Sequence, residues 1–142
     1  MPQWLTSIQQ GLTSTFIVDG RWHMFLNGLG YTLLISLLSV LLGLVIGILA
    51  ALGRLSNFKP VKLLSGIYID VIRGTPTMVQ LLIIYNIIFA NVNIERWIVG
   101  VIAFGINSGA YMAEIVRGGI LSVNKGQTEA GRSLGMTQRQ TM

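Results

Sequence analysis

The sequence has 142 residues, of which 52% are hydrophobic and 11% charged, with a mean hydropathy of +0.67 and a net charge of +5. A soluble domain of this size carries about 25% charged residues, so charge this sparse argues against a soluble enzyme or a free nucleic-acid binder and for a membrane protein. The absence of cysteine excludes disulfides, thiolate metal sites and thiol nucleophiles, and the single histidine, His23, cannot build a metal cluster alone.

A helical span needs about 20 apolar residues, which leaves room for three spans with loops, or four packed tightly. The first 20 residues hold no Lys or Arg and so lack the basic start of a secretory signal peptide. Within them Leu5, Ile8, Leu12 and Phe16 fall at helical spacing beside Trp4. Two readings are open: an amphipathic helix in the outer interface, or a partly ordered lead-in over residues 1–30.

The longest uncharged run spans 22–53, and the first span is predicted at 31–52, with Tyr31 as interfacial anchor and Arg54 closing the inner end. Gly43, Gly47 and Ala51 form a small-xxx-small series that would let another helix backbone approach closely; frequent glycine in membrane helices is the plainer account. A loop over 53–75 follows, with a short helical piece over 61–73, where Asp70 and Arg73 suggest a local i, i+3 ion pair. The second span is predicted at 76–92, with Thr75 as N-cap and Pro76 in the first turn. Asn91, Asn93 and Glu95 mark the turn to a third span at 97–117.

Polar side chains at membrane depth face a bundle interior or a water-filled path, because lipid leaves them unsatisfied. Asn107, Tyr111 and Glu114 share one face of the third span at i, i+4 and i+7. They would either line a solute route or hold the bundle together by interhelical hydrogen bonds. Gln80 and Asn86 do not share a face, so at most one of them points into such a route. Ser36, Ser39 and Ser108 are expected to hydrogen-bond their own helix backbone.

Arg54, Lys59, Lys62 and Arg73 lie in the first loop, and Arg117, Lys125, Arg132 and Arg139 after the third span, against only Arg21 and Arg96 on the other side. This positive-inside bias puts the N-terminus outside and the tail over 118–142 in the cytoplasm, and explains the basic charge without nucleic acid. The fold class expected is therefore an all-α, polytopic transmembrane bundle of three spans. No GxxxxGK[ST] loop, HExxH or GxSxG occurs, and the acidic residues are too few and scattered for a catalytic dyad. A membrane enzyme is the weakest reading.

In the tail, polarity rises after Gly118-Gly119, and Gly126 and Gly135 bracket a stretch in which Glu129, Ala130, Gly131 and Leu134 would form one or two helical turns, with Glu129 near the favourable N-terminal end. Such a helix has no core of its own and needs a partner to dock on.

Glu129-Ala130-Gly131, followed after three residues by Gly135, resembles the EAA loop of ABC-importer permeases. The segments IDVIRGTPTMVQLLIIYN (69–86) and AYMAEIVRGGILSVNKGQTEA (110–130) are similar to the branch that imports polar amino acids, and the resemblance runs over about 25–142. It implies a type I importer-like membrane subunit, without catalysis of its own, in the bacterial plasma (inner) membrane. The EAA loop would be the short coupling helix that docks on a cytoplasmic ABC ATPase dimer. ATP and Mg2+ would be bound there, and no cofactor in this chain.

The resemblance also implies a second permease subunit, identical or different, an extracytoplasmic solute-binding protein and an amino-acid substrate. Gly131 replaces the usual second Ala, at a cost in helix propensity of about 1 kcal/mol. Family members continue past the EAA glycine through an apolar stretch to further spans. The expectation is therefore an incomplete, truncated form ending at Met142. From a different class, the alternative is a small non-transporting membrane adaptor that anchors a cytoplasmic partner through its tail.

Overall fold

The computed structural model describes residues 2–18 and 21–141, without the side chains of Phe16, Val18, Gln138 and Arg139. Among the described residues the chain is all helical, as expected, with no strand. A first helix, α1 (Gln3–Thr13), ends in a π turn over Ser14–Val18 and keeps Trp4, Leu5, Ile8 and Leu12 exposed. It leads to α2 (Trp22–Leu55), a single helix of 34 residues that contains the predicted first span and extends it toward the N-terminus.

The short helical piece and the predicted second span after it are separate helices with a sharp bend between them. Helix α3 (Lys59–Gly74) and α4 (Thr77–Ile83, continued as a π turn over Ile84–Ile88) meet at a bend of 109°. Pro76 causes it. Its ring disfavours a helical conformation at the preceding residue and it has no N–H to donate, and Thr75 and Pro76 both take extended conformations. Thr75 was expected to cap the following helix. It is instead the C-cap of α3, and its hydroxyl donates back to the Val71 carbonyl at 2.8 Å. Helix α5 (Arg96–Ser122) then carries the third span, and α6 (Lys125–Ser133) and α7 (Gln138–Thr141) form the tail.

Two helices, α2 and α5, are long and apolar enough to cross a membrane, or three spans if the bent α3–α4 pair is one. At 1.5 Å per residue α2 is about 51 Å long and α5 about 40 Å, against a hydrocarbon core of about 30 Å.

Most tertiary contact lies between α2 and α5, which run parallel: Ile35 meets Gly100, Leu42 meets Gly105, and Gly47 meets Met112. The Gly43-Gly47-Ala51 series on α2 faces a second series on α5, Gly105-Gly109-Ala113. A methyl group on Gly43 would lie 2.8 Å from Cβ of Ser108, and one on Gly47 2.6 Å from Cβ of Met112. In return, Leu42 fills the space over Gly105 and Ile46 that over Gly109. Each glycine is thus the hole for a side chain of the other helix. Two parallel helices need the chain between them to return, and α4 does so, running antiparallel to α5 with Ile84 packed in a cluster with Val99 and Ala103. At the opposite end α3 crosses both, its buried Ile69 clustered with Ala50, Ala51 and Ala113.

Filling one of these holes should break the seam. Gly47→Val or Gly109→Val is expected to destabilise the chain by about 1–3 kcal/mol through overpacking. Gly28→Ala, on α2 where nothing lies within 4 Å, should be neutral or slightly stabilising. Thermal unfolding in detergent, followed by helical circular dichroism, checks the contrast.

Candidate functional site

The polar face of α5 is taken up by the α3–α4 bend. Gln80 is 7% exposed and reaches across the break in the chain. Its Nε2 donates to the Ile72 carbonyl at 2.5 Å and to the Thr75 carbonyl at 3.0 Å, while its Oε1 accepts from Asn107 Nδ2 at 2.9 Å. The break leaves carbonyls without helical partners, and in an apolar surrounding such groups are costly to leave unpaired. One carboxamide covers two of them and ties the bend to α5. Beside it the Tyr68 hydroxyl donates to the Ile106 carbonyl at 2.7 Å. Asn86, by contrast, is exposed and bonds only Leu82 of its own helix.

Further along the same face, Arg73 lies 5.5 Å from the centroid of the Tyr111 ring and 3.8 Å from Glu114 Oε2. Glu114 also accepts two bonds from Arg117, at 3.0 and 2.8 Å. The stripe of Asn107, Tyr111 and Glu114 is thus met at every position by a side chain of α3, α4 or α5. Of these residues and Gln80, Tyr111 is the one that stays exposed, at 46%.

The expected Asp70–Arg73 pair does not form. Asp70 is 3.4 Å from Arg54 of α2, and Arg73 turns to α5. Spacing within one helix identified a possible pair, but the packing of α3 between α2 and α5 offers each residue a partner on a different neighbour.

The serines also depart from expectation. Ser39 is buried and its hydroxyl donates across the seam to the Val101 carbonyl of α5 at 3.3 Å rather than to its own helix. Together with Thr32, Ser36, Phe104 and Ser108 it lines a groove of about 470 Å³ along α2 and α5.

The tail forms a capped helix that leaves the bundle. Asn124 is the N-cap of α6, its Oδ1 accepting from the Gly126 N–H at 2.8 Å. At the other end Gly135 has φ +85°, the Met136 N–H bonds the Gly131 carbonyl at 3.2 Å, and the Gly135 N–H bonds Arg132 at 3.0 Å. This is a Schellman stop, and glycine takes its left-handed residue without strain. Glu129 sits in the middle of α6 rather than near its N-terminal end, because the helix already begins at Lys125. No residue of α6 is buried, and Leu134 beyond it is 84% exposed. Gly131 faces Thr141 of α7 so closely that a methyl group there would lie 2.5 Å from Thr141 Cγ2.

Three features were missed from the sequence: the glycine series on α5, the bend-spanning role of Gln80 and the contribution of Tyr68. The first was readable, since Gly105, Gly109 and Ala113 repeat the spacing of Gly43, Gly47 and Ala51. The other two depend on which helices the bend brings together.

Residues 43–142 match the family described as "Binding-protein-dependent transport system inner membrane component", and the chain belongs to that family. It is 42% identical over 122 residues to the L-cystine transport system permease protein TcyB of Bacillus subtilis (strain 168), covering 85% of this chain and 52% of the relative. To the glutamine transport system permease protein GlnP of Escherichia coli (strain K12) it is 40% identical over 122 residues, covering 84% and 56%. A solved structure described as "Crystal structure of an amino acid ABC transporter with histidines" matches with a TM-score of 0.80 and 47% identity, over 88% of this chain and 59% of the solved one. The chain thus spans about half the length of the curated relatives it matches.

The clasp at the bend is testable by a double-mutant cycle. Gln80→Leu removes the partner of Asn107 and of the Thr75 carbonyl and leaves the Ile72 carbonyl with the Thr75 N–H alone, and should cost about 1–3 kcal/mol. Asn107→Leu should cost less, and the double variant less than the sum, with a coupling of about 0.5–3 kcal/mol. Thermal midpoints of the four forms in one detergent give the coupling directly.

Proposed function

We propose that this chain forms the three-span part of a permease subunit in a binding-protein-dependent ABC importer of polar amino acids. The observation that carries the reading is α6: a helix capped at both ends, with no buried side chain, at the position where the EAA pattern falls. Gly126, Glu129, Ala130, Gly131, Leu134 and Gly135 would be its docking surface for a cytoplasmic ATPase, which binds ATP and Mg2+ and performs the hydrolysis. The basic residues at the α6 side of the bundle make that side cytoplasmic. A second permease subunit and an extracytoplasmic solute-binding protein complete the assembly, in a bacterial inner membrane.

The kinship with permeases extends over the helices of the bundle as well as the tail, which favours this reading over an adaptor that anchors a partner without transport. Of the four polar residues expected along a solute route, Gln80 and Asn107 are engaged in holding the bend. Tyr111 is the one with an open face to offer a solute.

Docking is tested by copurification with the cognate ATPase. Glu129→Ala is expected to lower recovery of the ATPase by at least ten-fold without changing helical content, since the side chain is exposed. Gly135→Ala should weaken docking by disturbing the stop, an L side chain in the left-handed region costing about 1–2 kcal/mol. Unchanged recovery with both variants would refute the coupling role of α6. Uptake of labelled amino acids by cells carrying the assembled system, lost with the same variants, tests the importer itself.

A further inference from the structure

Helix α3 presents two opposite faces. At 100° per residue Gly66 and Ile69 share the side that packs on α2 and α5, and Leu63, Leu64, Ile67 and Val71 share the side pointing away. The first pair is buried, and the second group is 52–67% exposed. Phe58, just before the helix, is 63% exposed as well. The flank between these faces carries Lys59 and Asp70, and Lys62 and Arg73 fall on the arc of Gly66 and Ile69, toward the two ends of the helix.

The direction of α3 gives this face a setting. The bend of 109° to α4 is close to a right angle, and α4 runs antiparallel to α5. Most of α3 also keeps toward one end of the bundle, the Tyr68 ring extending inward to Ile106. Ser65 lies over Gly53, Ile69 touches Ala51 and Ala113, and Arg73 reaches Glu114. So where α2, α4 and α5 run along the membrane normal, α3 runs across it, beside the last turn of α2.

The charges on the flank are unequal in what they have available. Asp70 is paired with Arg54, and Arg73 with Glu114. Lys59 and Lys62 are exposed and, among the described residues, neither is in an ion pair with a carboxylate. Two unpaired ammonium groups in the first turn of a helix that has an exposed apolar face and lies across the membrane normal match the chemistry of an anionic headgroup layer.

We propose that α3 lies in the inner headgroup layer as a binding surface for anionic phospholipid, with Leu63, Leu64, Ile67 and Val71 against the acyl chains and Lys59 and Lys62 on the headgroup phosphates. Which leaflet this is rests on the permease reading above. The affinity for lipid does not, and it can be measured without an ATPase or a substrate.

The experiment uses the purified chain in a zwitterionic detergent and follows its thermal midpoint while phosphatidylglycerol or phosphatidylcholine is added. Two lysines near an anionic surface correspond to a preference of about thirty-fold for phosphatidylglycerol. The Lys59→Gln/Lys62→Gln double variant should lose that preference, and Lys125→Gln, on α6, should keep it. Helical content is read in parallel, and both lysines are exposed, so folding is not at stake. Equal response to the two lipids, or a double variant that keeps the preference, would overturn the proposal. So would inorganic phosphate raising the midpoint as phosphatidylglycerol does, which would indicate a free-anion site. Self-association of the chain that Leu63→Ser/Leu64→Ser abolishes would overturn it in favour of a second copy on the same face. Loss of ATPase copurification leaves this measurement unaffected, so the two readings fail separately.

Discussion

The close parallel contact of α2 and α5 is the constraint on which the rest of the structure depends. In lipid there is no hydrophobic drive to bring apolar helices together, so association comes from van der Waals packing and interhelical hydrogen bonds. Dispersion falls off steeply with separation, and only small residues allow backbones near enough to gain from it. Both helices supply them, with Gly43, Gly47 and Ala51 against Gly105, Gly109 and Ala113, and each accepts the larger side chains of the other. A hydrogen bond across this seam, from the Ser39 hydroxyl to the Val101 carbonyl, adds to it. Because the two helices are parallel, the chain between them must cross back, and the shape of the bend follows from that requirement.

The bend in turn sets where polarity can be tolerated. Pro76 interrupts the helix and exposes carbonyl groups in an apolar environment, and Gln80 answers them while Asn107 answers Gln80. Tyr68 and Arg73 attach the other arm of the bend to the same helix. Polar residues in a bundle can serve a passing solute or one another. Here the hydrogen bonds and ion contacts of Asn107 and Glu114 go to the protein, and Arg73 stacks on Tyr111. α5 continues without a break from these attachments to the short link before α6.

Much of this architecture was readable from residue order alone. Hydropathy identified the helical segments, and Pro76 marked the break, because both depend on local chemistry. The Gly135 stop was readable for the same reason. What could not be read was pairing between helices. Asp70 and Arg73 are suited to one another by spacing, yet each finds a partner on another helix. Ser39 could satisfy its hydroxyl within its helix but lies against a neighbouring backbone. The direction of capping at Thr75 was misjudged because a threonine before a proline fits two roles, and the geometry of the preceding helix decides between them. The tail stood out as a motif, whereas the position of Glu129 within α6 depended on where Asn124 starts the helix.

The parallel arrangement has an electrostatic consequence. Two helices lying side by side in the same direction have their macrodipoles aligned, with both partly negative C-terminal ends at one side of the bundle. Those ends repel each other. Arg54 lies in the last turn of α2, whereas the last turn of α5 carries no basic residue. A cation at this end, Arg54, therefore offsets part of a repulsion that the glycine seam itself creates. One of the basic residues of the first loop thus also belongs to the energetics of the α2–α5 pair.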